Sequence, residues 1–413
     1  MPATASAPPP ATTLPGIGQR EFVALIALMS SMVALSIDVM LPALEIIGHD
    51  LGTTDPNDNQ MVISFLFFGF SVGQLFFGSL SDSIGRKPTI FAGLTLFMTG
   101  CLMAALAETY ATLLMGRFLQ GVGVASPRTV SIALVRDLYT GRRMARIMSL
   151  VMTVFILVPV LAPALGQGLL AIGSWRILFA VLLLLALIVL AWFGLRHPET
   201  LPPEKQRPFS LRQLAATVNN TCHNRITLGY TLAMGMIFGA FIGYLVSVQQ
   251  ILQKQYALEE RFPVYFGLLA LCVGAATVTN ARLVMKWGMQ RLVRGALILM
   301  TTIATGVLLL LVTQGTALPL GGWLAWGGSS LFCMGILFGN LTALAMEPMG
   351  HHAGVAASVV GSLSSLISLS LGSGIGQMYD GTVMPLVGGF VLSGLGALGM
   401  VQWTERHRIR TEP

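Results

Sequence analysis

The chain has 413 residues, of which 10% are charged and 54% hydrophobic, with a net charge of +7 and a mean hydropathy of +0.76. A soluble domain carries about 25% charged residues. Only 24 basic and 17 acidic side chains are present here, too few to cover this much apolar surface in water. A soluble enzyme, a disordered regulator and a secreted disulfide scaffold are thereby excluded.

Residues 1–20 are rich in Pro, Ala and Thr, with no apolar run and no charge before Arg20. They read as a disordered cytosolic tail and not as a signal peptide. From Glu21 onward apolar runs alternate with short polar breaks, which predicts an all-α membrane protein of twelve spans. The spans fall near 22–47, 58–80, 88–107, 111–134, 147–171, 175–195, 225–252, 262–283, 291–312, 319–346, 352–377 and 382–403. Each can cross about 30 Å of hydrocarbon as a helix. Alternating ten-residue segments, the mark of a membrane β-barrel, are not the pattern. Six spans make an N-terminal bundle over 21–195 and six a C-terminal bundle over 225–403. Between them 196–224, rich in Pro and charge, reads as a cytosolic linker, with LRQLAA predicted as a short surface helix; 404–413 reads as a cytosolic tail. With both termini inside, 19 basic residues fall in inner segments, and only Arg176, Lys254 and Arg261 fall outside. That asymmetry is the positive-inside pattern, so the basic excess orients helices and does not mark a nucleic-acid surface. Cys101, Cys222, Cys272 and Cys333 lack metal-ligand spacing and read as free thiols.

Span 1 holds Asp38, the one carboxylate well inside a span. A charge at that depth costs about 2.5–3.5 kcal/mol unless it is protonated, paired or hydrated. Desolvation favours the neutral form and a nearby cation the charged one, so Asp38 can load and unload a proton as a cavity alternates. A static ion pair with an arginine is the alternative. Ser31, Asp38 and Glu45, seven apart, predict a polar stripe on one helix face. After span 2 comes GSLSDSIGRKP, from Gly78 to Pro88. Gly78 and Gly85 permit close approach and unusual backbone. Asp82 and Arg86 are four apart, and Arg136-Asp137 ends span 4 at the same membrane face. Asp82, Arg86 and Asp137 are expected to form a latch that opens in a conformational cycle; a solvated turn is the plainer reading.

Span 4 places Arg117, Gln120, Val124, Arg128 and Ser131 on one face. Arg117 and Arg128 are about 16 Å apart along the axis, and Arg128 is about 12 Å from Arg136, too far to snorkel easily. Both are expected to face a cavity, Arg128 attracting an acidic substrate group or pairing elsewhere. Pro159, Pro163 and Gly166 predict a kink in span 5. In span 7, Phe238, Phe241 and Tyr244 suit an apolar, cationic or amphipathic substrate, with ordinary packing as the alternative. The loop after span 8, ARLVMKWGMQR, aligns Leu283 with Leu80 and Gly288 with Gly85, but lacks the aspartate. Repeated halves are a transporter architecture. Asn340 in span 10 lines the cavity or joins helices.

These motifs resemble the major facilitator superfamily over essentially the whole chain. GSLSDSIGRKP is similar to its loop 2–3 signature, and Arg117-Phe-Leu-Gln120-Gly121-Val-Gly123 to its span 4 motif R-x-x-Q-G-x-G. Pro159 to Gln167 resembles the span 5 antiporter motif, with Val158, Ala162 and Gln167 where glycines are usual. SIDVMLPAL, LVRDLY and the Asn340 to Gly361 segment resemble the Bcr/CflA branch of drug:proton antiporters. The resemblance implies two six-helix bundles around a central cavity, and export of small hydrophobic or amphipathic compounds against inward proton flow. It makes Arg117 the candidate partner of Asp38. The expected partners are a small-molecule substrate, protons and the lipid bilayer of a bacterial inner membrane, with no nucleic acid, no cofactor and a monomeric chain. A transporter of one metabolite, such as a siderophore, sugar or amino-acid derivative, is the alternative on the same fold; a non-transporting sensor or lipid-handling protein is the remote one. No P-loop, nucleophile motif or metal cluster points to an enzyme.

Overall fold

A computed structural model of the protein describes residues 18–139, 141–206, 208–314 and 318–411. Their α-helices are α1 (Gln19–Asp38), α2 (Leu44–Asp50), α3 (Met61–Ile84), α4 (Arg86–Ala105), α5 (Tyr110–Leu138), α6 (Gly141–Leu170), α7 (Arg176–Arg196), α8 (Leu211–His223), α9 (Arg225–Gln250), α10 (Phe262–Trp287), α11 (Met289–Gln314), α12 (Leu320–Met346), α13 (Ala353–Gln377) and α14 (Met384–Thr411). Among the described residues, 12 segments are long and apolar enough to cross a membrane. Span 1 is α1 with α2, spans 2–6 are α3–α7, and spans 7–12 are α9–α14. The apolar runs located the spans to within a few residues. The surface helix expected from LRQLAA is α8. The N-terminal tail lies outside the described residues up to position 17, as does Arg207 in the linker. Its last two residues, Gln19 and Arg20, already belong to α1.

The C-terminal segment 404–413 departs from a simple tail, because α14 runs unbroken to Thr411. No Pro or Gly falls between Met400 and Thr411, and side chains tie this stretch down. Tyr230 Oη donates to Glu405 at 2.6 Å, and Arg408 makes two bonds to Glu347 at 3.0 and 2.9 Å.

Span 1 is not one helix. Pro42 has no N–H to give to the Asp38 carbonyl four residues back, so the α-helix stops at Asp38. Leu41–Ala43 forms a tighter turn before α2 restarts at Leu44. The Ser31–Asp38–Glu45 stripe is therefore broken. Glu45 belongs to a separate helix, largely exposed, and pairs with Lys254 at 3.1 Å.

The two halves share a turn. Gly85 has φ +103° and Gly288 φ +75°, a backbone that only glycine adopts without strain. Span 4 packs backbone-close against spans 2 and 3. A Cβ on Gly121 would lie 2.0 Å from the Leu66 carbonyl oxygen, and one on Gly123 2.3 Å from the Phe97 nitrogen. Between the halves, α3 runs along α13 and α6 along α10. Ser362 Oγ donates to the Ser71 carbonyl at 2.7 Å, and the Ser64 and Ser373 hydroxyls meet at 2.8 Å. At the end away from the termini, Gln60 bonds Gln250 at 2.9 Å and Asn57 donates to the Tyr379 carbonyl at 2.9 Å.

Candidate functional site

Asp38 closes α1 just where the chain breaks, and it is only 3% exposed. Among the described residues no side chain or backbone N–H donates to its carboxylate. Tyr244, on span 7 in the opposite half, lies within electrostatic range of it. The break itself is covered by span 5. A Cβ on Gly166 would sit 2.2 Å from the Val39 carbonyl oxygen, so only glycine lets α6 rest there.

Arg117 does not pair with Asp38. Its guanidinium is fully buried and donates to the Ser36 carbonyl at 2.9 Å, the Val62 carbonyl at 2.9 Å and Gln120 Oε1 at 2.8 Å. Gln120 is held in turn by Nε2 to Cys101 Sγ at 3.0 Å. The Phe179 ring lies 5.9 Å from the guanidinium carbon. Backbone acceptors near the end of α1 thus occupy the donors that were expected to reach Asp38. They have no signature in a sequence.

Arg128 stands apart from both. Its Nη1 is buried with no partner among the described residues, and the guanidinium carbon lies 5.1 Å from the Phe155 ring of span 5. The span 7 aromatics do come together, around a residue sequence reasoning missed. Phe338 of span 10 stacks on Phe238 at 4.2 Å and meets Phe241 edge-on at 5.6 Å. Phe241 stacks on Tyr244, and Tyr244 on Phe266, each at 6.2 Å. Phe238, Phe241 and Phe338 remain half-exposed. Asn340 donates to Asn280 Oδ1 at 2.7 Å and to the Ile336 carbonyl at 2.9 Å, a bond between spans 8 and 10 that is the helix-joining arrangement.

At the termini end, Arg86 gathers the charged residues singled out in loop 2–3 and span 4. It donates to Asp82 at 2.5 Å, Asp137 at 2.8 Å and Ser81 Oγ at 2.8 Å. Gly78 joins this cluster through its carbonyl, which accepts from Ser81 Oγ at 2.9 Å. It faces Ser358 of α13 so closely that a Cβ would fall 1.9 Å from the hydroxyl. Sequence reasoning also missed Glu199. Its carboxylate accepts from the backbone N–H of Arg86 at 3.0 Å and of Lys87 at 2.9 Å, capping α4. Lys87 Nζ reaches back to the Gly194 and His197 carbonyls at 2.7 and 2.9 Å, capping α7. An acid beside a proline just past span 6 was the available signal. Pro159 and Pro163 lie inside α6, which continues as one helix through both.

Comparison with known proteins rests on this geometry. The family model described as Major Facilitator Superfamily matches residues 26–373. The chain belongs to the major facilitator superfamily. It is a multi-pass membrane transporter of small molecules, not an enzyme. Among its relatives is an uncharacterized transporter of this superfamily, YdgK of Bacillus subtilis, 30% identical over 372 residues, covering 88% of this chain and 90% of that one. The bicyclomycin resistance protein homolog of Haemophilus influenzae is 27% identical, covering 89% and 91%. The multidrug resistance protein MdtL of Klebsiella pneumoniae is 29% identical, covering 79% and 80%. The last two relatives carry resistance-protein names. Two solved structures share the fold. The human organic anion transporter MFSD10 has a TM-score of 0.67 at 19% identity, covering 94% of this chain and 100% of that one. The xylose transporter XylE of E. coli, in a partially occluded inward-open conformation, has 0.69 at 13%, covering 94% and 97%.

Proposed function

We propose that this transporter is a proton-coupled antiporter that exports small hydrophobic or amphipathic compounds by alternating access. Asp38 takes up and releases the proton. The observation that carries this reading is a buried carboxylate at the break of span 1 with no donor among the described residues. Such a group is satisfied only by a proton, by water or by a bound cation. Its access to each of them changes when the two halves rock, because Tyr244 of the other half lies within electrostatic range of it. Arg117 acts on coupling indirectly, by fixing the end of α1 through the Ser36 carbonyl. Phe238, Phe241 and Phe338 offer a half-exposed aromatic wall for the apolar body of a substrate. The Arg86 cluster holds one arrangement of the termini end and releases it in the other. On this reading the proton gradient is the energy source and no cofactor takes part. The chain acts as a monomer in a bacterial inner membrane, with both termini and the 196–224 linker in the cytosol. The names of the resistance-protein relatives support drug export.

The test has two parts. A compound-panel efflux assay, with and without a collapsed pH gradient, identifies substrates and their dependence on protons. Proton release on substrate addition is then measured in detergent. The wild type releases protons and Asp38→Asn, which keeps the shape but cannot ionise, does not. Continued release and efflux by the asparagine variant would make Asp38 a structural residue only.

A further inference from the structure

Of the arginines in or beside the first four spans, Arg86, Arg117 and Arg128 are each satisfied differently. Arg86 has two carboxylates and a hydroxyl. Arg117 has two backbone carbonyls and an amide. Arg128 has neither: among the described residues no carboxylate lies within ion-pair distance and no acceptor within hydrogen-bonding distance, and its Nη1 is fully buried. Its one close partner is the Phe155 ring, at 5.1 Å. An aromatic face covers one face of the planar guanidinium and leaves the in-plane N–H donors unused. At about 12 Å from the Arg136 end of the span, those donors are too deep to reach the interface. A cation at that depth needs a counter-charge, and none is provided among the described residues.

We infer that Arg128 binds an acidic group on the transported compound, so that the substrates include amphipathic carboxylates with an apolar or aromatic body. The guanidinium edge matches a carboxylate with two parallel hydrogen bonds, a geometry that also fixes orientation. The Phe155 ring beside the guanidinium offers apolar surface for the adjoining part of the compound. This inference rests on the transport reading for the route by which a ligand reaches span 4, but not on proton coupling. Lipid phosphate is the other anion available in a bilayer, and the experiment separates the two.

Full-length protein is reconstituted in phosphatidylcholine nanodiscs, and binding of 2-naphthoate and 2-naphthamide is measured by equilibrium dialysis. The two probes share their rings and differ in the charged group. The wild type is expected to bind the carboxylate about tenfold more tightly than the amide. Arg128→Met brings the two affinities level while still binding the amide, which shows that it is folded; Arg128→Lys keeps a preference for the carboxylate. Asp38→Asn keeps it as well, so the acid site and the proton-coupling reading stand or fall separately. Absence of a preference in the wild type, absence of binding of either probe, or an undiminished preference in Arg128→Met overturns the inference. The measurement is repeated with phosphatidylglycerol in the nanodisc. An unchanged preference is expected. Its loss on adding the anionic lipid assigns Arg128 to a headgroup and overturns the substrate role.

Discussion

His197 shows how burial sets charge state just beyond span 6. Its ring stacks on Phe193 at 4.9 Å and lies 5.7 Å from Phe22. Nδ1 sits 3.0 Å from the Pro198 carbonyl, and Nε2 is buried with no partner among the described residues. Burial holds this imidazole below its ordinary range, and the bond to Pro198 opposes that only in part. The unfolded chain takes up the proton near about pH 6.5, the folded one only at lower pH. The stability from the neutral ring is therefore complete above about pH 6.5 and is lost as pH falls through the folded value. The melting temperature is expected to drop between about pH 7 and 5, with a shallower slope in His197→Phe. Equal slopes in both proteins would show that His197 does not titrate in this way. Residues of this kind differ in legibility. Asp38, Arg117 and Arg128 stood out because a charge within an apolar run is costly wherever it occurs. Cys101 and Phe338 did not, since a thiol or a phenylalanine in a span is ordinary until its neighbour is known.

At the scale of elements, the broken span 1 and the span 5 helix depend on each other. Gly166 lets α6 lie against the Val39 carbonyl, where the extra carbons of a valine have no room. Gly166→Val is expected to cost about 1–3 kcal/mol, read as a lower melting temperature, and to weaken proton release by displacing the segment beside Asp38. A variant as stable and as well coupled as the wild type would mean that span 5 does not brace the break. The Arg86 cluster makes a different prediction. Arg86 is 5% exposed and its carboxylate partners are more open, so Arg86→Ala costs about 2 kcal/mol, less than a fully buried pair would. Transport falls in Arg86→Ala and Asp82→Asn while substrate affinity changes little. An equal loss of binding would show that the cluster shapes the cavity.

At the scale of the molecule, the two halves meet along α3 and α13. The Ser64 and Ser373 hydroxyls, 2.8 Å apart across that seam, give a direct test of relative movement. Cysteines at both positions are close enough for a disulfide. In a background where the exposed Cys222 and the half-buried Cys272 are replaced by serine, oxidised Ser64→Cys/Ser373→Cys protein is expected to lose efflux, and reduction to restore it; Cys101 and Cys333 are buried. Full efflux in the cross-linked state would mean that the halves do not part here. The amide network of Asn57, Gln60 and Gln250 closes the same end without charge, so it can break and re-form at low cost in either state.

The sequence by itself determined the number of spans, the basic asymmetry of the loops, the repeated turn at Gly85 and Gly288, and the depth of each buried charge. A bilayer penalises every exposed polar group locally, so these features are written residue by residue. Only the tertiary structure decided which atoms satisfy those charges. Ser36 and Val62 carbonyls take Arg117 away from Asp38, Glu199 caps α4 from the far side of span 6, Asn280 meets Asn340, and Arg128 is left with a phenyl ring. Those partners are backbone atoms or side chains from distant spans, and their identity depends on how twelve helices pack against one another.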